Sequence, residues 1–417
     1  MAAPGRGARV AIIKPDYRVA GGFERVIDRI EGVLAADGHD VTRITVDMGG
    51  TVGHTVRGLD VPPDVYGAMP EYFRYVAGVE AFDALDTRFY DLVISTQPPS
   101  VTHRHPRHLS VFYHHARVFY DLEDAYLRAG FTPDPEQHVE ASRLVREIDA
   151  PRYDAVSWFV AGSGVVRERL RQFNGRTDAS IMLAGMAVGD EAAVDATDPG
   201  LAGRGAVLSI GRHEFTKRTE LVVAAAHLLE PLHEVAVVGT GGRTAWARDL
   251  DHRLSQPGAD PAALDDTHLW CNTGQGAAPV PDDHRSNVAF LTGVDDPTLE
   301  RLYQEAPCVV APAYQEDYGL TAVEAMHHGR PVVVCHDGGG LAELVEHEVT
   351  GLVVDPSPQA IADAVARLLT DSDLAARLGA NGRQRAAEIT WRRADEVVRE
   401  AVQRVLDGAP VEDSPTD

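Results

Sequence analysis

The sequence predicts an α/β protein made of two successive series of strand–helix units. Three observations carry that reading. The chain has 417 residues, too many for one ordinary domain and enough for two or three compact units with ample core. Short apolar runs bounded by glycine or polar turns alternate with stretches of helical period, the pattern of strand–helix–strand crossovers. This alternation starts twice, at Ala8 and at Ala206, with a Gly-, Asp- and Ala-rich segment from Ala187 to Gly205 between the two, read as an interdomain linker.

In the first series, Ala8 to Lys14 reads as a buried strand, Pro15 to Gly22 as a loop ending in the pair Gly21 and Gly22, and Phe23 to Ala36 as a helix. A strand, a glycine loop and a helix either bring a phosphate or sugar close to the backbone or form a plain connection. Strand Val41 to Val46 follows. Asp47 to Phe89 mixes glycine, proline and aromatic residues with little periodicity, which suits loops and short helices. Strand Asp91 to Ser95, a turn at Gln97 to Ser100 and a strand Ser110 to His115 come next, the last ending in two histidines. Strand ends in open α/β sheets face the ligand crevice. His114 or His115 is therefore either a ligand to a sugar hydroxyl or phosphate oxygen, or a surface or core residue. Glu136 to Ile148 is helical, Ser157 to Val160 is a strand, Ser163 is the N-cap of a helix Gly164 to Phe173, and Ser180 to Leu183 closes the series.

The second series opens with strand Ala206 to Ile210, the run Gly211-Arg212-His213-Glu214-Phe215-Thr216-Lys217-Arg218 and a helix Glu220 to Leu229. Arg212 at the strand end and Lys217 at the helix start aim two cations at one pocket, as a diphosphate requires, or form a solvated surface pair. Strand Glu234 to Val238 closes in Gly239-Thr240-Gly241-Gly242, which is not a dinucleotide fingerprint because its third glycine would fall at Thr244. Pro257 to His284 reads as an irregular insertion. Strand Val288 to Thr292 leads through Gly293, Val294 and two capping aspartates, Asp295 and Asp296, into helix Pro297 to Glu305.

The centre of the chain is Glu316-Asp317-Tyr318-Gly319-Leu320-Thr321-Ala322-Val323-Glu324. A buried strand at Cys308 to Ala311 precedes it, and Gly319 opens a helix through Met326 and His327. Glu316 and Glu324 thus bracket a helix N-terminus, whose unpaired N–H groups and partial positive charge suit a phosphate while the carboxylates suit hydroxyls. A nucleotide-sugar satisfies all three features. Gly329-Arg330-Pro331, strand Val332 to Cys335, Asp337-Gly338-Gly339-Gly340, Glu343 and Gly351 to Val354 follow. Ile361 to Leu369, Leu374 to Ile389 and Trp391 to Leu406 are helical, and Gly408 to Asp417 has the composition of a disordered tail.

Composition narrows the partners. The balance of 39 Lys and Arg against 63 Asp and Glu gives a net charge of −24, which disfavours nucleic acid and anionic membrane surfaces. No basic cluster stands out along the chain. Cys271, Cys308 and Cys335 form an odd set without paired spacing, as expected of a reduced, cytoplasmic setting, and suggest no metal site. Val10 to Ile13 is too short for a secretory core, and no run approaches the ~20 apolar residues of a membrane span.

From Glu316 to Glu343 the sequence resembles the GT-B glycosyltransferases of the large retaining family 4. Their hallmark is two glutamates with seven residues between them, then E-A-M-x-x-G-x-P-V and a G-G-x-x-E turn. Here Glu316 and Glu324, Glu324-Ala325-Met326, Gly329, Pro331 and Gly339-Gly340-Leu341-Ala342-Glu343 match in order. The resemblance implies two Rossmann-like domains facing each other across a cleft: an N-terminal acceptor domain (1–190), a C-terminal nucleotide-sugar domain (191–390), a crossing helix (391–408) that returns to the N-terminal domain, and a tail (409–417). It implies Arg212 and Lys217, matching G-R-x-x-x-x-K, on the donor diphosphate, and Glu324 on the ribose. Glu316, with the backbone at Asp317, Tyr318 and Gly319 and the residues Leu320 and Thr321, falls to the sugar and phosphate. Gly21 and Gly22 close over the donor, Gly239 lies near the nucleotide, and Gly293 and Val294 hold the base through backbone groups. His114, or its neighbour His115, sits beside the sugar. Tyr318 stands where relatives carry Phe. No metal or other cofactor is implied, and the partners are a nucleoside-diphosphate sugar and an acceptor.

The implied reaction is transfer of a sugar from a nucleoside diphosphate with retention at the anomeric carbon. The lack of a basic or amphipathic membrane face points to a soluble small-molecule acceptor, a natural product or metabolite. Two other classes use similar residues. A glycoside hydrolase or phosphorylase also works with paired carboxylates, but has no leaving diphosphate for Arg212 and Lys217. A catalytically inactive nucleotide-sugar-binding protein would keep Glu324 and lose Glu316 or Lys217.

Overall fold

The computed structural model describes residues 7–18, 22–50, 52–186 and 205–408. The chain divides into two compact units, one formed by Met1–Ala184 with Trp391–Asp417 and one by Gly185–Thr390. Gly21, residues 187–204 of the linker expected at 187–205, and the tail at 409–417 lie outside the described residues.

The first unit contains strands β1 (Arg9–Asp16), β2 (Asp40–Asp47), β3 (Thr55–Val56), β4 (Leu59–Asp60), β5 (Leu92–Ser95), β6 (His108–Phe112), β7 (Trp158–Ala161) and β8 (Ala179–Ile181). β3 and β4 form a small antiparallel hairpin; the others make a parallel sheet in the order β2-β1-β5-β6-β7-β8. β5, β6 and β7 are buried along their whole length, as parallel strands covered on both faces must be. The helix Trp391–Asp407 belongs to this unit. It presents Ala394, Val398, Ala401, Val402 and Val405 to the core along one face. Asp395 accepts from Arg29 at 2.6 Å, and Arg399 donates to Asp37 at 2.6 Å, tying it to helix Gly22–Ala36.

The second unit contains β9 (Val207–Ile210), β10 (Val235–Val238), β11 (Val288–Leu291), β12 (Val309–Ala311), β13 (Val332–Cys335) and β14 (Gly351–Val354). All are parallel, in the order β11-β10-β9-β12-β13-β14. Successive strands build outward from β9 on one side and from β12 on the other. The order therefore reverses between β9 and β12, and ligands of such sheets bind outside the carboxyl ends at that point. The corresponding reversal in the first unit lies between β1 and β5.

Three local readings change. β6 stops at Phe112, so His114 and His115 lie in the turn beyond it rather than on the strand. The Tyr113 ring packs against Gly162, where a Cβ would come within 2.6 Å of it. The helix expected at Glu136 to Ile148 runs from Pro135 to Asp154, through Pro151; Arg152 donates to the Ile148 carbonyl at 2.8 Å within this turn. The stretch expected to be an irregular insertion carries a short helix, Asp266–Leu269, and leads to Trp270, which is completely buried.

Candidate active site

The loops after β9, β12 and β13 meet at the switch point of the second sheet. The loop after β9 runs through a 3₁₀ turn, Phe215–Lys217, to Arg218, held at φ 51°. A left-handed backbone at a long side chain is strained, and burial of that side chain explains how it is held. The Arg218 guanidinium donates to both oxygens of Asp337, at 2.8 and 2.7 Å, and lies over the rings of Trp270 (4.1 Å) and Tyr314 (4.7 Å). This two-pronged bond and its aromatic sandwich join the loop after β9 to the loop after β13. The preceding residue, Lys217, is thereby aimed at the third loop, and its Nζ lies 2.5 Å from Glu316 Oε2. Arg212 is exposed at the start of the same run.

The loop after β12 is shaped by the glycine turn after β13. Gln315 N–H donates to the Asp337 carbonyl at 2.9 Å, Glu316 N–H to Gly338 at 3.1 Å, and Gly340 N–H to Glu316 at 2.7 Å, a strand-like pairing of the two loops. At Gly339, φ is 60° and a Cβ would sit 2.5 Å from the Glu316 carbonyl, so the close approach requires glycine. Gly319 (φ 116°) begins helix Leu320–His327 with no side-chain cap. The first-turn N–H groups of such a helix, here including those of Leu320 and Thr321, point out of its end, which begins four residues after Glu316. Asp317 is half-buried and Tyr318 buried.

Glu324, one turn into that helix, is 7% exposed, and its Oε2 accepts from the Tyr303 hydroxyl at 2.7 Å. Burial, reinforced by the Glu324 charge, raises the Tyr303 pKa well above the ordinary value, so the phenol remains a donor. The Tyr303 ring stacks on His328 at 5.2 Å, and burial lowers His328 to about 4, which keeps it neutral. Gly239, at φ 134°, brings its turn against Gly211, where a Cβ would meet the carbonyl at 1.9 Å. Its N–H donates to Leu291 at 2.9 Å, so Gly293 and the half-buried Val294 follow along the same sheet edge. His213 is buried beneath, with Nδ1 2.9 Å from Thr244 Oγ1 and its pKa lowered by burial.

In the first unit, Gly22 starts the helix after β1. Lys14, buried on β1, pairs with Glu24 of that helix at 2.6 Å. His115 is fully buried; it stacks on Tyr120 and Tyr153, bonds Asn174 at 2.7 Å and is lowered to about 4 by burial. His114 is half-buried, its Nδ1 2.7 Å from the His115 carbonyl, and is the accessible member of the pair.

Sequence reading missed Arg218, Asp337, Tyr303 and Lys14. Arg218 had a signal, a second cation directly after Lys217, and so had Asp337, directly before three glycines. Among the described residues no cluster of three or more His, Cys, Asp or Glu is arranged to hold a metal ion, and no helix is long and apolar enough to cross a membrane. All three cysteines are buried as free thiols.

Two doubly wound parallel units, the second with an acidic and basic pair beside a glycine-opened helix at its switch point, have the architecture of GT-B glycosyltransferases. Comparison with known proteins agrees. Residues 283–385 match the family described as glycosyl transferases group 1, so the group 1 resemblance of the second unit stands. An uncharacterised glycosyltransferase of Methanocaldococcus jannaschii is 32% identical over 40% of this chain and 36% of its own length. A D-inositol 3-phosphate glycosyltransferase of Salinispora arenicola is 28% identical over 67% of this chain and 60% of its own. The chain thus spans 36% and 60% of the length of these two relatives. Among solved structures, sucrose-phosphate synthase from Thermosynechococcus elongatus superposes with a TM-score of 0.68 at 20% identity, covering 96% of this chain and 100% of that one. HepE of Anabaena, in complex with UDP and glucose, gives 0.62 at 16% identity, covering 95% and 99%. These structures share the fold.

Proposed function

We propose that this protein is a retaining glycosyltransferase that moves a sugar from a nucleoside-diphosphate sugar to a soluble small-molecule acceptor, without a metal ion. The observation that carries the reading is the Lys217–Glu316 pair, 2.5 Å apart, beside the uncapped helix start at Gly319. Three kinds of group fall within reach of one ligand: a cation and outward N–H groups for a diphosphate, and a carboxylate for hydroxyls.

Negative charge grows on the β-phosphate as the glycosidic bond breaks. Lys217, Arg212 and the first-turn N–H groups of Leu320 and Thr321 stabilise that charge, so no separate acid is needed to expel the leaving group. Glu316 holds sugar hydroxyls. Glu324, fixed by Tyr303, accepts from the ribose hydroxyls. The departing phosphate oxygen takes the acceptor proton on the face it leaves, which retains the anomeric configuration.

The UDP and glucose held by HepE make UDP-glucose the first donor to try, and the name of the inositol phosphate relative places D-inositol 3-phosphate in the first acceptor panel. Incubation with UDP-glucose and other nucleotide-sugars, in the presence of EDTA, is expected to give an α-linked product by proton NMR from an α-linked donor. A β-linked product contradicts retention, loss of activity in EDTA contradicts metal independence, and release of free sugar alone from every donor contradicts transfer.

A further inference from the structure

A concavity lies in the first unit, at the amino ends of β5, β6 and β7, on the edge of the sheet opposite the strand carboxyl ends. Its volume is about 1020 Å³, and it is lined by residues 84–88, 90–91, 104–107 and 157 and by the last turn of helix Trp391–Asp407. Arg88, Arg104, Arg107 and Arg404 reach it from three separate stretches of the chain, with His105 beside them. In a protein of net charge −24 this is a local reversal of sign. Two carboxylates also line the cavity, and both are occupied: Asp86 accepts from Arg88 at 2.9 and 2.8 Å, and Asp91 pairs with Arg9 at 3.2 Å.

Arg104, Arg107 and Arg404 make no hydrogen bond or close ion pair to a carboxylate among the described residues, although the charge of Arg107 acts on Asp91, which is already paired with Arg9. Arg404 is oriented by stacking 4.3 Å over the ring of Trp158. The turn that carries Arg104 and Arg107 is held by His105, whose Nδ1 is 3.1 Å from the Arg107 N–H. Guanidinium forks are shaped for phosphate oxygens, and a concave wall concentrates their field. The volume suits a small molecule taken into a pocket.

We infer that this cavity binds a phosphorylated small molecule carrying two or more negative charges, as a site apart from the transfer chemistry of the second unit. The probe is pyrophosphate, titrated into the full chain carrying Arg212→Ala and Lys217→Ala so that the donor site does not contribute. Binding is read by calorimetry and by the fluorescence of Trp158, with Trp158→Phe identifying that signal. The expected result is one saturable site with a dissociation constant below 1 mM on the order of typical metabolite affinities. It weakens at least about tenfold in Arg104→Ala/Arg107→Ala and by a smaller factor in Arg104→Lys/Arg107→Lys, which keeps the charge but loses the two-pronged geometry. Arg104 and Arg107 are exposed, so an unchanged melting temperature shows that the variants fold. Absence of saturable binding, or binding indifferent to the Arg104→Ala/Arg107→Ala change, overturns the inference.

Discussion

At the switch point of the second sheet, opposite charges stand within reach of solvent: the side chains of Lys217 and Glu316 are 27% and 19% exposed. In the first unit a carboxylate is sunk instead. Asp149 is fully buried and accepts from the hydroxyls of Tyr75 and Tyr120 at 2.6 and 2.7 Å, in the aromatic cluster that also contains Tyr153 and His115. The second unit does bury charge, but in complete pairs: Arg218 with Asp337, which holds its loops, and Arg243 with Glu220. The contrast teaches a division of labour. At the switch point the charges stand near the surface, and beneath the turn of His114 neutral rings and hydroxyls build a firm wall, while the first unit keeps its exposed arginines at the opposite edge of its sheet.

The largest effect that sharpens this contrast is expected at Arg218. Arg218→Ala leaves Asp337 without its partner and removes the clamp between two loops, at a cost of about 3–5 kcal/mol. Urea denaturation is expected to show the loss; a change below 1 kcal/mol, on the order of an exposed ion pair, would mean the pair holds little.

Asp149 comes next, and its sign is opposite to that of a paired carboxylate. Burial, only partly offset by the tyrosine hydroxyls and Arg152, raises its pKa from 3.8 to about 7. A folded pKa above the unfolded one means that the stabilisation is complete below pH 4 and is lost as pH rises toward 7. Between pH 5 and pH 8 the wild type should therefore lose about 3 kcal/mol relative to Asp149→Asn. Denaturation curves at both pH values check this, and a pH-independent difference would place the Asp149 pKa in the ordinary range.

Lys217→Ala should lower kcat by about 10²–10³-fold, the usual effect of removing one donor to a developing oxyanion, with an unchanged melting temperature because the side chain is partly exposed. The smallest effect belongs to Tyr303. Tyr303→Phe keeps the ring stack on His328 and removes one hydrogen bond to Glu324, worth about 1–2 kcal/mol. It is expected to raise the KM for the donor about tenfold and to leave kcat nearly unchanged. A fall in kcat with KM constant would place Glu324 in the chemical step rather than in binding.

Much of this was legible in the sequence, for identifiable reasons. Buried parallel strands give continuous apolar runs, so β5, β9, β12 and β13 were placed to within a residue or two, and Gly319 marked a helix start that its φ of 116° requires. The spacing of Glu316 and Glu324 put one in the loop and one in the helix. What remained hidden depended on distant residues meeting. Nothing local shows that Arg218 lies between Trp270, from an apparent insertion, and Tyr314, or that Tyr303 on a preceding helix reaches Glu324. The two adjacent histidines are separated only by packing, because His115 fills a ring cluster assembled from several elements. The arginines at 88, 104, 107 and 404 form no cluster in the sequence, and the fold brings them to one cavity.

The central claim, that the switch point of the second unit holds a nucleoside diphosphate, is tested most directly by thermal-shift titration of UDP, GDP, ADP, CDP and dTDP against the wild type and Glu324→Ala. One of the five should raise the melting temperature in proportion to the logarithm of its concentration, as binding to the folded state demands, and that shift should vanish in Glu324→Ala. Stabilisation by none of the five, or an equal shift in Glu324→Ala, would contradict the assignment.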